Sequence, residues 1–205
     1  SSVYSSGRSS KSIIETARSQ TAKMIDAEPS EIFFTGSGTE SNNIVIWSVL
    51  HQKNKHVITS CIEHPAVLKV LEELTAFGLT YDILPVDSTG LINPSDLKSA
   101  IKKDTGLISI MYVNNEVGTI QKFDKLTEIA KEYSIPFHSD CVQSLGKIPI
   151  STKDLKIDYM SFSAHKFYGP KGIGFLFKRN GVPIKPLVIG GGQESNIRAG
   201  TENLS

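Results

Sequence analysis

The side chains best suited to covalent chemistry sit in one segment, Ser161-Phe162-Ser163-Ala164-His165-Lys166-Phe167-Tyr168-Gly169-Pro170-Lys171-Gly172. It follows a strand-like run, which places Lys166 in a pocket at a strand end rather than on an open helix face. A lysine amine attacks aldehydes when burial or a nearby positive charge lowers its pKa, as a buried strand end can do; a solvated surface lysine is the ordinary alternative. Asp140 ends another strand-like run and Gln143 follows it, so both can reach the mouth of a sheet. An aspartate there holds a protonated ring nitrogen as an ion pair, or merely caps the next turn. His64 closes Thr59-Ser60-Cys61-Ile62-Glu63-His64, where its ring can stack on a flat cofactor, move protons, or serve the structure alone. Gly36-Ser37-Gly38-Thr39-Glu40 lies between a strand and a helix, so free N–H groups and the helix dipole converge where a phosphate can sit. Ser37 or Thr39 acting as a plain helix cap accounts for the same residues.

Segments so far apart in sequence need a framework that brings strand ends together. Apolar residues recur at helical spacing in Ser12–Ile25, and Ile32–Thr35 is a short β-rich run. Then come a helix from Thr39, a strand His56–Ser60, a helix from Pro65, a strand Tyr81–Val86, a helix from Pro94 and a strand Leu107–Val113. A helix near Asp124–Tyr133 precedes the strands Pro136–Asp140, Tyr159–Ala164 and Ile173–Lys178. Pro65 and Pro94 fall where a first helical turn tolerates a missing N–H. This alternation predicts an α/β domain spanning 1–205, with a mainly parallel sheet, helices on both faces and ligands at the carboxyl ends of the strands. No repeat, low-complexity tract or linker interrupts it, although Gly190-Gly191-Gly192 marks a tight turn.

Composition narrows the partners. Lys plus Arg number 22 against 21 Asp plus Glu, with the signs interspersed, so nothing points to nucleic acid or to an acidic membrane surface. The longest apolar runs, such as Leu107–Val113, are strand-sized, and no charged leader opens the chain. Cys61 and Cys141 are the only cysteines and form no metal-type pair; they read as small, partly buried core thiols in a reducing compartment.

Taken together, Thr35-Gly36-Ser37-Gly38-Thr39-Glu40-Ser41-Asn42-Asn43, Glu63-His64-Pro65-Ala66-Val67-Leu68, Asn114-Asn115-Glu116-Val117-Gly118, His138-Ser139-Asp140-Cys141-Val142-Gln143, Ser163-Ala164-His165-Lys166 and Arg198-Ala199-Gly200-Thr201 carry a resemblance. In this order they resemble the pyridoxal 5'-phosphate (PLP) enzymes of fold type I, in the aminotransferase class V branch, and the cysteine desulfurases within it. The resemblance covers nearly the whole chain. It implies the large domain of that fold, with a sheet of the seven-stranded type. It implies Lys166 as the lysine bound to the cofactor's aldehyde, Asp140 on the pyridine nitrogen, His64 stacked on the ring as a catalytic residue, and Gln143 near the phenolic oxygen. Asn115 would lie beside cofactor and substrate. Gly38, Thr39, Ser163 and His165 would hold the phosphate, and Thr201 would reach the phosphate of the neighbouring subunit in a homodimer.

The implied activity removes sulfur from L-cysteine, leaving L-alanine and an enzyme persulfide for iron–sulfur cluster assembly or tRNA thiolation. A sulfur-acceptor or scaffold protein is then a partner. Two departures stand out. The family's opening strand with its Asn-Ala-Ala-Thr-Thr-like turn is missing, and so is the smaller domain that carries the catalytic cysteine loop. The chain therefore reads as a fragment, inactive alone, of a cytoplasmic or mitochondrial enzyme whose nucleophilic cysteine lies beyond Ser205. Ser1-Ser2-Val3-Tyr4-Ser5-Ser6-Gly7-Arg8 and Gly190-Gly191-Gly192-Gln193-Glu194-Ser195-Asn196-Ile197-Arg198 echo a relative, selenocysteine lyase. That activity, a PLP aminotransferase and a non-catalytic PLP-fold binding protein are the competing readings.

Overall fold

The computed structural model describes residues 5–204, with side chains from residue 8 onward. Its elements run α1 (Ser5–Lys23), β1 (Ile32–Thr35), α2 (Gly38–Val49), β2 (His56–Ser60), α3 (Pro65–Leu74), β3 (Thr80–Leu84), α4 (Pro94–Ala100), β4 (Thr105–Ser109), α5 (Phe123–Glu132), β5 (Phe137–Asp140), α6 (Thr152–Leu155), β6 (Tyr159–Ser163) and β7 (Gly174–Lys178). The strands form one seven-stranded sheet in the order β1-β7-β6-β5-β4-β2-β3.

From β6 through β5, β4 and β2 to β3 every pairing is parallel, whereas β7 is antiparallel to both β6 and β1. The sheet is thus mixed. The cause is the connection 164–173 between β6 and β7, which is too short for a helical crossover and therefore returns the chain antiparallel.

Adjacent residues along the strands point to opposite faces and build two cores. Ile58, Ile108, Phe137 and Phe177 pack with Ala22 of α1, Leu97 of α4 and Phe123, Leu126 and Ala130 of α5. Val57, Leu107 and Leu176 pack with Ile44, Val45 and Val49 of α2 and Val67, Leu71 and Leu74 of α3. The expectation of helices on both faces follows from this alternation. Strands β2, β4, β5 and β6 are buried along their whole length, yet β5 reads Phe-His-Ser-Asp. Its polar side chains bond across the sheet. His138 shares hydrogen bonds with the hydroxyls of Ser109 (2.8 Å) and Ser161 (3.0 Å), and burial pushes its imidazole down to about 3, so it is neutral.

Several boundaries differ from expectation. α1 begins at Ser5 rather than Ser12, α6 had no counterpart, and β4 ends at Ser109 rather than Val113. The chain past Ser109 stays against β5, with Ile110 N–H and Tyr112 N–H donating to the carbonyls of His138 and Asp140, before Val113 bridges Ile120. Cys141 is fully buried, but Cys61 is exposed, contrary to the partly buried reading. It stands where the chain leaves β2, its N–H donating to the Leu84 carbonyl at the sheet edge (3.0 Å).

The segment after β7 is latched to the start of the domain. Glu194 is buried and accepts both terminal nitrogens of Arg18 (2.7 and 3.0 Å) together with the N–H of Phe34 (2.9 Å).

β7 begins at a glycine because backbone crowds it. A Cβ at Gly174 would lie 2.5 Å from the Phe162 carbonyl oxygen and 2.7 Å from the Ser37 carbonyl carbon. Gly174→Ala is expected to cost about 2 kcal/mol or more, the upper range for overpacking, through strain between β6, β7 and the turn before α2. Urea denaturation of the full-length protein checks this, and an unchanged midpoint would contradict it.

Candidate active site

A cavity of about 240 Å³ opens at the carboxyl ends of β1, β2, β4, β5 and β6. Each strand delivers different chemistry to it. After β1, Ser37 caps α2 by accepting the Glu40 N–H (3.1 Å), while the Glu40 carboxylate accepts the Gly36 N–H (2.7 Å) and Nε of Arg198 (2.8 Å). The capping and pocket readings of this turn therefore hold together: Ser37 caps, and Gly38 and Thr39 in the first helical turn line the cavity. N–H groups of a first turn lack intrahelical acceptors and suit an anion. Gly38 must be glycine, since a Cβ would stand 2.5 Å from Cγ2 of Val142 and 3.3 Å from Cβ of Ser163.

β2 is followed by His64, the N-cap of α3, whose Nδ1 accepts the Ala66 N–H (3.1 Å). That bond assigns the proton of the neutral ring to Nε2. The ring both caps a helix and lines the cavity. Beyond β4, Asn115 is presented by a loop that buried Asn114 shapes. Nδ2 of Asn114 donates to the Ile62 carbonyl (2.9 Å), and its Oδ1 accepts the N–H groups of Glu116 and Val117 (2.9 Å each).

Asp140 ends β5 at 5% exposure. Its Oδ2 accepts Nδ2 of Asn42 (2.8 Å) and its Oδ1 the Val142 N–H (3.0 Å), both uncharged donors. Burial holds its carboxyl above the usual range, with these two bonds and His64 acting in the opposite direction. Gln143 also lines the cavity and accepts Nζ of Lys147 (2.5 Å). After β6, the Ser163 hydroxyl pairs with Nδ1 of His165 (2.9 Å), and Lys166 follows on a 3-10 turn, Ala164–Phe167. Lys166 is exposed at the cavity rim, so the buried setting expected for it is not supplied by protein atoms alone.

The structure therefore brings Gly38, Thr39, His64, Asn115, Asp140, Gln143, Ser163, His165 and Lys166 to one cavity. Thr201 lies elsewhere, exposed in a second cavity with Gly36 and Arg198. Sequence reasoning assigned no role to Asn42, Met111 or Val142, which also line the first cavity. Asn42 was findable, since it stands four residues after Gly38 in α2 and so shares its face.

The residues fit PLP on several counts. Asp140 is a buried carboxyl without a cationic hydrogen-bond partner, a costly arrangement that a protonated ring nitrogen would relieve. The buried Oδ1 of Asn42, beside the same cavity, also has no partner. The first turn of α2 presents N–H groups without intrahelical acceptors to the cavity, a setting suited to an anion, and Lys166 offers an amine at the rim.

A mixed α/β sheet carrying an amine, a buried carboxylate and an anion-ready helix start at its strand ends fits one class of protein. The model of the aminotransferase class-V family matches residues 1–204, and the chain belongs to that family, which is PLP-dependent in general. Within it, the chain is 52% identical over 208 residues to "Cysteine desulfurase IscS" of Dictyoglomus turgidum, covering all of this chain and 53% of that protein. Among solved structures, "NIFS-like protein" superposes with a TM-score of 0.95 at 44% identity, covering 98% of this chain and 56% of that one. "SspA in complex with cysteine" gives 0.92 at 40% identity, covering 96% and 58%. The chain thus spans about half the length of the curated relatives it matches. Among the described residues no helix is long and apolar enough to cross a membrane.

Gly38→Ala is expected to drive a Cβ against Val142 and Ser163, shift the first turn of α2 and weaken PLP binding about tenfold or more, or about 1.4 kcal/mol. Titration of the full-length apoprotein with PLP, followed by absorbance, checks this. Affinity equal to wild type would show that the cofactor does not depend on the placement of the first turn of α2.

Proposed function

We propose that this chain is the cofactor-binding large domain of a PLP-dependent cysteine desulfurase, which takes sulfur from L-cysteine and leaves L-alanine. The observation that carries the reading is the convergence of buried Asp140, Lys166 and the start of α2 on one cavity. The relatives named as cysteine desulfurases and the neighbour solved with cysteine support the substrate.

In this reading Gly38, Thr39, Ser163 and His165 hold the phosphate, Asp140 the ring nitrogen, His64 the ring face and Gln143 the phenolic oxygen. Lys166 holds the aldehyde, and Asn115 lies beside cofactor and substrate. When bound, PLP supplies an electron sink that weakens bonds at the substrate Cα.

The residues of the chain do the rest. Asp140, fixed by Asn42 and the Val142 N–H, holds a proton on the ring nitrogen. Lys166, on an open rim, can take a proton at Nζ and give it back. His64 offers Nε2, because Nδ1 is engaged at the helix cap. Neither thiol suits sulfur transfer. Burial pushes Cys141 up to about 12, and Cys61, although exposed, is not among the residues lining the cavity. In this reading neither Cys61 nor Cys141 is the sulfur-accepting cysteine. Thr201 is assigned to the partner subunit's phosphate in a homodimer, and free thiols suit a reducing compartment.

Borohydride reduction of the full-length holoenzyme, followed by peptide mapping, should label Lys166; a label on another lysine would show the assignment to be wrong. Asp140→Asn should retain PLP yet lower sulfide release roughly thousandfold, about 4 kcal/mol of barrier, because a neutral amide cannot hold the ring nitrogen's proton. Near wild-type turnover would remove Asp140 from that role.

A further inference from the structure

Glu63 precedes His64 and takes no part in the chemistry described above, yet it is a carboxyl at 6% exposure beside the cofactor cavity. Its Oε1 accepts the hydroxyl of Ser60, at the end of β2, at 2.5 Å. The same oxygen accepts the N–H of Met111, beyond β4, at 2.9 Å. Its Oε2 is buried and has no hydrogen-bond partner among the described residues. The backbone carbonyl of the preceding residue, Ile62, receives the side chain of Asn114, so the two loops are joined twice.

We propose that Glu63 serves as an uncharged acid and a positioning residue, joining the loop that carries His64 to the loop that carries Met111 and Asn115, both of which line the cofactor cavity. An ionised carboxylate spreads its charge over both oxygens and would leave Oε2 desolvated and unpaired. A carboxylic acid fits the asymmetry at lower cost: the carbonyl oxygen takes both donors, and the hydroxyl on the other oxygen, which also lacks a partner among the described residues, carries no charge. The surroundings favour the same form. Burial, the largest influence, pushes Glu63 up to about 8; the bonds from Ser60 and Met111 act against it, and repulsion from Asp140 on β5 adds a smaller upward push. A neutral Glu63 leaves Asp140 as the one ionised carboxylate of the pair, as the ring nitrogen requires. The functional benefit rests on the cofactor reading; the bridge and its protonation do not.

Glu63→Gln keeps an acceptor at Oε1 and places an NH2 where the acid carries its proton. The unfolded wild-type chain releases the Glu63 proton as pH rises past the ordinary carboxylate range, while the folded chain retains it until about 8. Wild-type stability is therefore lost relative to Glu63→Gln across that window and levels off above it. In thermal unfolding of the full-length holoenzyme, the Tm of Glu63→Gln minus that of wild type should grow from pH 5 to 8 and then flatten. PLP affinity at pH 7 should stay within about threefold in Glu63→Gln and fall about tenfold or more in Glu63→Ala, with the milder Ser60→Ala between them. A constant Tm offset across the range would overturn the proposal. So would PLP binding in Glu63→Gln as weak as in Glu63→Ala or, should that variant not fold, weaker than in Ser60→Ala. Wild-type protein that fails to bind PLP would instead overturn the cofactor reading, with the Tm arm still deciding the case for Glu63.

Discussion

A carboxylate withdrawn from water at the end of a buried strand sets the terms for everything around it. Asp140 can be ionised there only if donors and a counter-charge meet it. The chain provides donors from two directions: α2 packs so that Asn42 reaches Oδ2, and the turn after β5 folds back so that the Val142 N–H reaches Oδ1. Further back along β5, His138 is bound on both sides by hydroxyls from β4 and β6, which fixes the register of the central strands without an apolar side chain at that position. The polar reading of β5 is therefore a consequence of its task. It is a buried strand that ends in a carboxyl group.

The glycines at the two ends of the neighbouring pair belong to the same arrangement. Gly38 lets α2 start against Val142 and Ser163, and Gly174 lets β7 start against the turn that precedes α2. With these contacts the β1 turn, the β5 end and the β6 end share one small volume. Five strands contribute to the cavity because the parallel part of the sheet points their carboxyl ends the same way, and β1 joins them through antiparallel β7.

Much of this was legible in the residues. Asp140, His64 and Lys166 each follow a short buried run, and such runs in an α/β alternation end at the ligand side, so their gathering follows from periodicity alone. What escaped depended on three-dimensional neighbours. Lys166 reads as buried from its flanking segment, but the chain turns outward at Ala164–Phe167 and leaves it at the rim. Cys61 lies beside β2 in sequence, yet faces solvent because the chain departs from the sheet there. The antiparallel turn of β7 was implicit in the shortness of 164–173, a length the periodicity reading did not weigh. Glu63 and Asn42 look like ordinary polar helix or loop residues until strands distant in sequence are placed beside them. The role proposed for Thr201 rests on a second subunit, which a single chain does not contain.

The order of the strands also dictates the order in which the domain can be completed. Among the described strands β1 has a single sheet neighbour, β7, and the latch between Arg18 and Glu194 joins residues 176 positions apart. During synthesis the first strand and the helix before it must wait, unpaired, until almost all of the remaining sheet has emerged. Contacts of such long sequence separation are slow to form, and an edge left open in the meantime is a template for association with other chains. Until β7 emerges, β1 therefore has no strand to pair with and remains an open template for association.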